Sequence, residues 1–165
     1  MKEIKLTQGK VALVDDEDFV ILSEYKWYAI KNKNTFYAVR HKENNPALNL
    51  IRMHREITGA KHGDIVDHKN RDGLDNRRQN IRICTSSQNS RNRQSGKNSS
   101  SKYLGVTIDK EGIGKKRGAL WRADIRHNGK RHYIGKYKDE EMAAIAYNEK
   151  AKKLHGEFAN LNIIS

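Results

Sequence analysis

Asp67-His68-Lys69-Asn70-Arg71-Asp72-Gly73-Leu74-Asp75-Asn76-Arg77-Arg78-Gln79-Asn80 is a long, almost wholly polar stretch set between two short apolar runs. Ile65-Val66 before it and Ile81-Arg82-Ile83-Cys84 after it carry the branched residues that favour strands. Thr85-Ser86-Ser87-Gln88 then has the form of a capping box, with Thr85 capping a helix start and Gln88 reaching back to it. The order is strand, long polar loop, strand, helix. Three readings of the loop compete. A calcium loop would use Asn70, Asp72 and Gly73, but it fails at both ends: His68 takes the first ligand position, and Gln79 the last, where a bidentate Glu belongs. A structural polar turn would use the Asp and Asn side chains to satisfy backbone groups. A hydrolytic site would use the adjacent acid and imidazole of Asp67 and His68.

N-terminal to this stretch, residues 1 to about 58 read as β-rich, with strands expected over residues 10–15, 35–41 and 48–55. The acid run Asp15-Asp16-Glu17-Asp18 reads as a solvated turn. C-terminal to it, residues 93–101 are rich in Gly, Ser and Asn and read as a flexible linker. Three further strands are expected over residues 103–108, 120–127 and 131–137, with the tight-hairpin signature Asn128-Gly129 between the last two. Asp139 should cap a final helix whose first turn holds Glu140 and Glu141 and whose end is marked by Gly156. Ala143, Ala146, Tyr147, Ala151 and Leu154 recur along it at helical spacing, so that face should pack on the sheet. The expected organisation is a domain over 1–92, a linker over 93–101 and a domain over 102–165, in the α+β class.

Composition sets the partner class. The 165 residues carry 33 Lys and Arg against 20 Asp and Glu, a formal charge of +13 spread through structured-looking sequence, which points to a polyanion and best to nucleic acid. The single cysteine, Cys84, excludes a disulfide framework and paired-cysteine zinc sites, and its apolar setting reads as a buried thiol. No signal-peptide pattern and no membrane-length apolar run is present, so a reducing, cytoplasmic compartment is expected.

The run from His54 through Asp67-His68, Asp75-Asn76-Arg77, Asn80 and residues 85–89 resembles the HNH endonucleases, in the subgroup found among homing endonucleases. The resemblance implies a ββα-metal fold and puts the family's three letters on His68, Asn80 and Asn89. It implies that His68 is the general base, that Asn80 braces the loop, and that Asp67 and Asn89 bind one divalent cation. His54 aligns with a histidine often seen in the subgroup. The chemistry of the residues is compatible: one carboxylate and one amide oxygen suit Mg²⁺ (or Mn²⁺) that keeps several waters, and an imidazole with a pKa near ~6.5 can take a proton from water at neutral pH. Successive strand residues point to opposite faces, so Asp67 and His68 can serve one site only if the chain turns there.

Residues 102–162 resemble the ethylene-response-factor type DNA-binding domain of plants, which also occurs fused to HNH endonucleases. The matching pieces are Tyr103-Leu104-Gly105-Val106, Trp121-Arg122-Ala123-Asp124-Ile125-Arg126, Tyr133-Ile134-Gly135-Lys136-Tyr137, Ala143-Ala144-Ile145-Ala146-Tyr147 and Leu161-Asn162. The resemblance implies a three-stranded antiparallel sheet, backed by one helix, laid in the major groove. Strand alternation independently places Trp121, Ala123 and Ile125 toward the helix and Arg122, Asp124 and Arg126 on the other face, joined by Arg131 and Tyr133. Such a face can contact bases, while Lys115, Lys116, Arg117 and Lys130 suit phosphate. Thr107 and Asp109 depart from the plant pattern, which places DNA-contacting arginines there.

Together these readings give an HNH endonuclease of phage or mobile-element type. It would act on double-stranded DNA as a monomer or homodimer, leave 5′-phosphate and 3′-hydroxyl ends as the family does, and be targeted by its C-terminal domain. The competing expectations are a non-catalytic DNA-binding regulator with a vestigial HNH segment, and an RNA-binding protein or ribonuclease.

Overall fold

The computed structural model describes residues 1–42, 50–93, 95–96, 98–109 and 120–164. The chain divides into two compact units, Met1–Asn89 and Ser90–Ser165.

The first unit opens with an antiparallel hairpin of β1 (Lys2–Lys5) and β2 (Val11–Val14). Helix α1 (Asp16–Leu22) follows directly. The acid run is therefore a helix start and not a solvated turn. Asp15 is the N-cap, and Asp16, Glu17 and Asp18 fill the first turn, where the helix dipole favours negative charge. Asp18 is buried and takes two bonds from Arg78, at 2.9 and 2.6 Å. Strands β3 (Tyr28–Asn32), β4 (Thr35–His41) and β5 (Leu50–Arg52) form an antiparallel sheet in the order β3-β4-β5. The strand expected over 48–55 is shorter than that. It stops at Arg52, the chain turns into helix α2 (Met53–Thr58), and residues 48 and 49 lie outside the described set. Met53, His54 and Ile57 are the buried residues of α2, a helical spacing hidden inside a run too short to show a period.

Strands β6 (Ile65–His68) and β7 (Ile81–Cys84) pair antiparallel, with Asp67 opposite Arg82 and His68 opposite Ile81, and α3 (Ser86–Arg91) follows. The capping box forms as two bonds: the Gln88 N–H donates to Thr85 Oγ1 at 3.2 Å, and the Thr85 N–H to Gln88 Oε1 at 2.7 Å. This is a ββα arrangement. It shares one core with the N-terminal elements, because Ile4, Ala12, Val14, Leu22, Trp27, Ala38, Met53, Ile57 and Ile81 form a single buried cluster. Burial of that apolar surface, at roughly 25 cal/mol per Å², is what holds the polar loop's frame in place.

The second unit contains β8 (Val106–Asp109), β9 (Leu120–His127) and β10 (Lys130–Tyr137) as an antiparallel sheet in the order β10-β9-β8. The last two are joined by Asn128 and Gly129, both at positive φ (50° and 76°), the backbone that a two-residue I′ turn needs. The strand expected from residue 103 begins at Val106, because Tyr103–Gly105 turns to seat Tyr103 in the core. Helix α4 (Glu140–His155) starts at Asp139, whose side chain accepts from the Glu141 and Met142 N–H groups, both at 2.9 Å. Ala143, Ala144, Tyr147 and Ala151 pack with Val106, Ala123 and Ile125 of the sheet. Described residues of 93–101 are bonded into this unit, for example Ser101 Oγ to Glu140 Oε1 at 2.6 Å and Ser95 Oγ to the Ser101 carbonyl at 3.0 Å. Among the described residues, no helix is long and apolar enough to cross a membrane.

Candidate active site and basic sheet face

The polar loop between β6 and β7 is held by its own amides and by β2. Asn70 Oδ1 accepts the Asp72 N–H at 2.9 Å and Asp72 Oδ1 the Leu74 N–H at 3.0 Å, consecutive Asx turns that account for the residues a calcium loop would have used. Asn80 ties the two ends together. Its Oδ1 accepts the Asn70 N–H at 3.0 Å, and its Nδ2 donates to Asn70 Oδ1 at 3.0 Å and to the Asp75 carbonyl at 2.7 Å. Leu13 then pins the loop to β2: its N–H donates to the Leu74 carbonyl at 2.9 Å, and its carbonyl accepts the Asn76 N–H at 2.8 Å. Arg77 grips Asp75 with two bonds of 2.7 Å, and that hydrogen bonding holds the Asp75 carboxyl below the usual carboxylate range.

His68 ends β6 inside this frame and is only 5% exposed. Its Nε2 lies 3.3 Å from Asn76 Oδ1, and its ring centroid lies 4.9 Å from that of His54 and 5.7 Å from that of Tyr37. The chain turns immediately after it, with the Lys69 N–H on the Asn80 carbonyl and the Arg71 N–H on the His68 carbonyl. Burial pushes the His68 pKa down, opposed by the Asn76 bond and by the charges of Asp67, Asp72 and Asp75. His54 is 4% exposed, and burial, with the neighbouring His68, Arg52 and Arg55, drives its pKa to about 3. Its Nδ1 is buried without a hydrogen-bond partner.

Asp67 is 6% exposed, and its Oδ2 accepts from Arg82 Nε at 3.2 Å and Nη2 at 3.0 Å. Asn89 is exposed on α3, its N–H bonded to the Thr85 carbonyl at 2.9 Å. Cys84 connects the two neighbourhoods. Burial raises its thiol pKa and the Asp67 charge adds to this, while Arg82 and the Asn89 N–H oppose it. Cys84 is thus a buried thiol set between the strand acid and the first turn of α3. Among the described residues no group of three or more His, Cys, Asp or Glu is placed to hold a metal ion. Sequence reasoning quoted Asn76 within the motif but gave it no role, and did not single out Arg82 or Tyr37 around this pair. Arg82 follows from the antiparallel register once both strands are given, whereas Tyr37 arrives only through packing of the two sheets.

On the second unit, Arg122 and Asp124 of β9 and Arg131 and Tyr133 of β10 share one face. Asp124 is 6% exposed, because Arg122 Nε (2.9 Å), Arg122 Nη2 (3.1 Å) and Arg131 Nη2 (2.7 Å) converge on its carboxylate. The Arg122 guanidinium also lies 5.2 Å from the Tyr133 ring centroid. Lys136 pairs with Asp109, and Arg126 is exposed opposite Arg131. Lys115, Lys116 and Arg117 lie outside the described residues. His155, at the end of α4, is buried. It stacks on His127 at 5.5 Å, and its Nε2 lies 3.1 Å from the Arg126 carbonyl.

Asp67, His68, the amide-braced loop and the ββα frame all lie inside the segment that the comparisons with known proteins match. The chain belongs to the HNH endonucleases: the sequence signature described as "HNH endonuclease" matches residues 53–91, from the start of α2 to the end of α3. Over nearly its whole length, the chain is 33% identical, across 158 residues, to a protein of Acanthamoeba polyphaga mimivirus described as an uncharacterized HNH endonuclease. The alignment covers 95% of this chain and 77% of that protein. No solved structure matches the chain.

Proposed function

We propose that the protein is a metal-dependent endonuclease of double-stranded DNA in which His68 is the general base. The observation that carries the reading is the state of His68. It is an imidazole at the end of a strand, its pKa lowered by burial, ringed by Asn76, His54 and Tyr37 and acted on by the charge of the preceding Asp67. A neutral imidazole can take the proton of the water that attacks phosphorus. Asn80 holds the loop that seats His68, through its bonds to Asn70 and Asp75.

Asp67 and Asn89 would hold the divalent cation. As a donor set, one carboxylate and one amide oxygen fit a hard ion such as Mg²⁺ that retains most of its water. Arg82 shares the Asp67 carboxylate, so ion and guanidinium would lean on the same group. When bound there, the cation supplies charge neutralisation at the scissile phosphate and leaving oxygen. The second unit would position the nuclease as an ethylene-response-factor type domain does. Arg122, Arg126, Arg131 and Tyr133 would contact the duplex from the exposed sheet face, and the net charge of +13 would draw it to the backbone.

Plasmid nicking tests this. The protein should cut supercoiled DNA in Mg²⁺ and not in EDTA. His68→Ala should lose about 10²–10⁴ in rate while keeping its DNA affinity. Undiminished cutting by His68→Ala, or DNA binding with no cutting by the wild type in Mg²⁺ or Mn²⁺, refutes the reading.

A further inference from the structure

The Asn76 side chain is 0% exposed, and each end of its amide has a different task. Nδ2 donates to the Leu74 carbonyl at 3.1 Å. That carbonyl also receives the Leu13 N–H, so it is held by β2 and cannot turn away. The amide nitrogen must face Leu74, because a carbonyl accepts and does not donate. Oδ1 is thereby directed at His68, 3.3 Å from Nε2. An amide oxygen has no proton to give, so the hydrogen of this contact can come only from the ring. The Asn76 backbone is fixed as well, its N–H on the Leu13 carbonyl at 2.8 Å.

We infer that Asn76 is the positioning residue of the site: its amide, oriented by Leu74 and β2, holds the neutral His68 ring with the proton on Nε2, so that Nδ1 is the atom that accepts the proton of water. The other tautomer, with the proton on Nδ1, would set a bare Nε2 lone pair against the Asn76 oxygen, and a flipped ring would present only a carbon to it, so either change leaves the buried amide oxygen without its donor. One ring rotamer and one tautomer are selected together. This is how a partner beyond the reacting groups sets a histidine's chemistry. The inference rests on the reading of His68 as the base, but its geometric half is independent of cleavage.

The test therefore starts with the wild-type protein, ¹⁵N-labelled at histidine, in Mg²⁺-free buffer at a pH where His68 is neutral. The expected long-range ¹H–¹⁵N correlation spectrum gives His68 a pyrrole-type Nε2 and a pyridine-type Nδ1, with an exchange-protected Nε2 proton. A proton on Nδ1 overturns the inference whether or not the protein cuts DNA. Loss of cutting with the expected spectrum counts against the general-base reading alone. Asn76→Ala should lose the protected Nε2 signal and lower kcat by about 10- to 100-fold, with KM and DNA affinity nearly unchanged. An unchanged Nε2 proton in Asn76→Ala overturns it too.

Discussion

His54 makes the first unit acid-labile by an amount that can be worked out in advance. It is a buried imidazole whose pKa falls from 6.5 to about 3, and desolvation is the main cause. A depressed folded-state pKa means that the unfolded chain binds the proton first. The stability this group contributes is fully present above 6.5 and drains away as pH falls from there toward 3. Integrating one proton between those two values, the step from pH 7 to pH 5 should cost the first unit about 2 kcal/mol. The remedy is His54→Phe, which keeps a ring against Tyr37 and His68 and cannot titrate. Urea unfolding at the two pH values, read by Trp27 fluorescence in a Trp121→Phe background, measures the effect. Trp27 is buried in the first unit's core, so its signal reports that unit. Other groups titrate over the same interval, so the quantity to compare is the pH-induced loss in His54 protein minus that in the Phe variant. A difference near zero would refute the assignment of His54 as a permanently neutral core imidazole.

Two further outcomes follow from particular contacts. Arg82→Gln removes the guanidinium from the buried Asp67 carboxylate, and breaking a buried pair by removing one partner typically costs about 3–5 kcal/mol. Its melting temperature should then rise with added Mg²⁺ more than that of the wild type, since an ion at Asp67 replaces the lost charge. Equal Mg²⁺ responses would place the cation elsewhere. Gly105→Ala should destabilise the second unit and weaken duplex binding. Gly105 has φ +75°, and a Cβ there would meet the Tyr147 ring and sit 2.6 Å from the Asp124 carbonyl oxygen. A thermal melt and a binding titration matching wild type would show that the strand entry yields more easily than this geometry allows.

Local signals were legible where chemistry stays within a few residues. The Thr85–Gln88 cap, the Asn128-Gly129 turn and the Asp139 cap each depend on neighbours in sequence, and each forms as the residue types imply. What escaped was set at long range. Asp15–Asp18 looks like a turn until Arg78 arrives from the polar loop to bind Asp18, and α1 and α2 are too brief for a period to show. His54 reads equally as a core or a site residue on paper, because only packing brings α2 against the end of β6. The alternation in β9 was readable, but the convergence of Arg122 and Arg131 on Asp124 needed the strand register.

The seam between β2 and the polar loop also orders events in time. Asp15 and Arg78 are 63 residues apart in sequence, yet they are bonded at 2.7 Å beside the Leu13 contacts to Leu74 and Asn76. Closing a loop of that length costs roughly 3–4 kcal/mol of chain entropy, so the contact cannot lead folding and has to be drawn in by the shared core. On the ribosome the β1–β2 hairpin is made long before its partner. Because the shared core includes Ile81, which follows the loop in the chain, a nascent chain halted short of the loop lacks both the seam's partner segment and part of the core that draws it in.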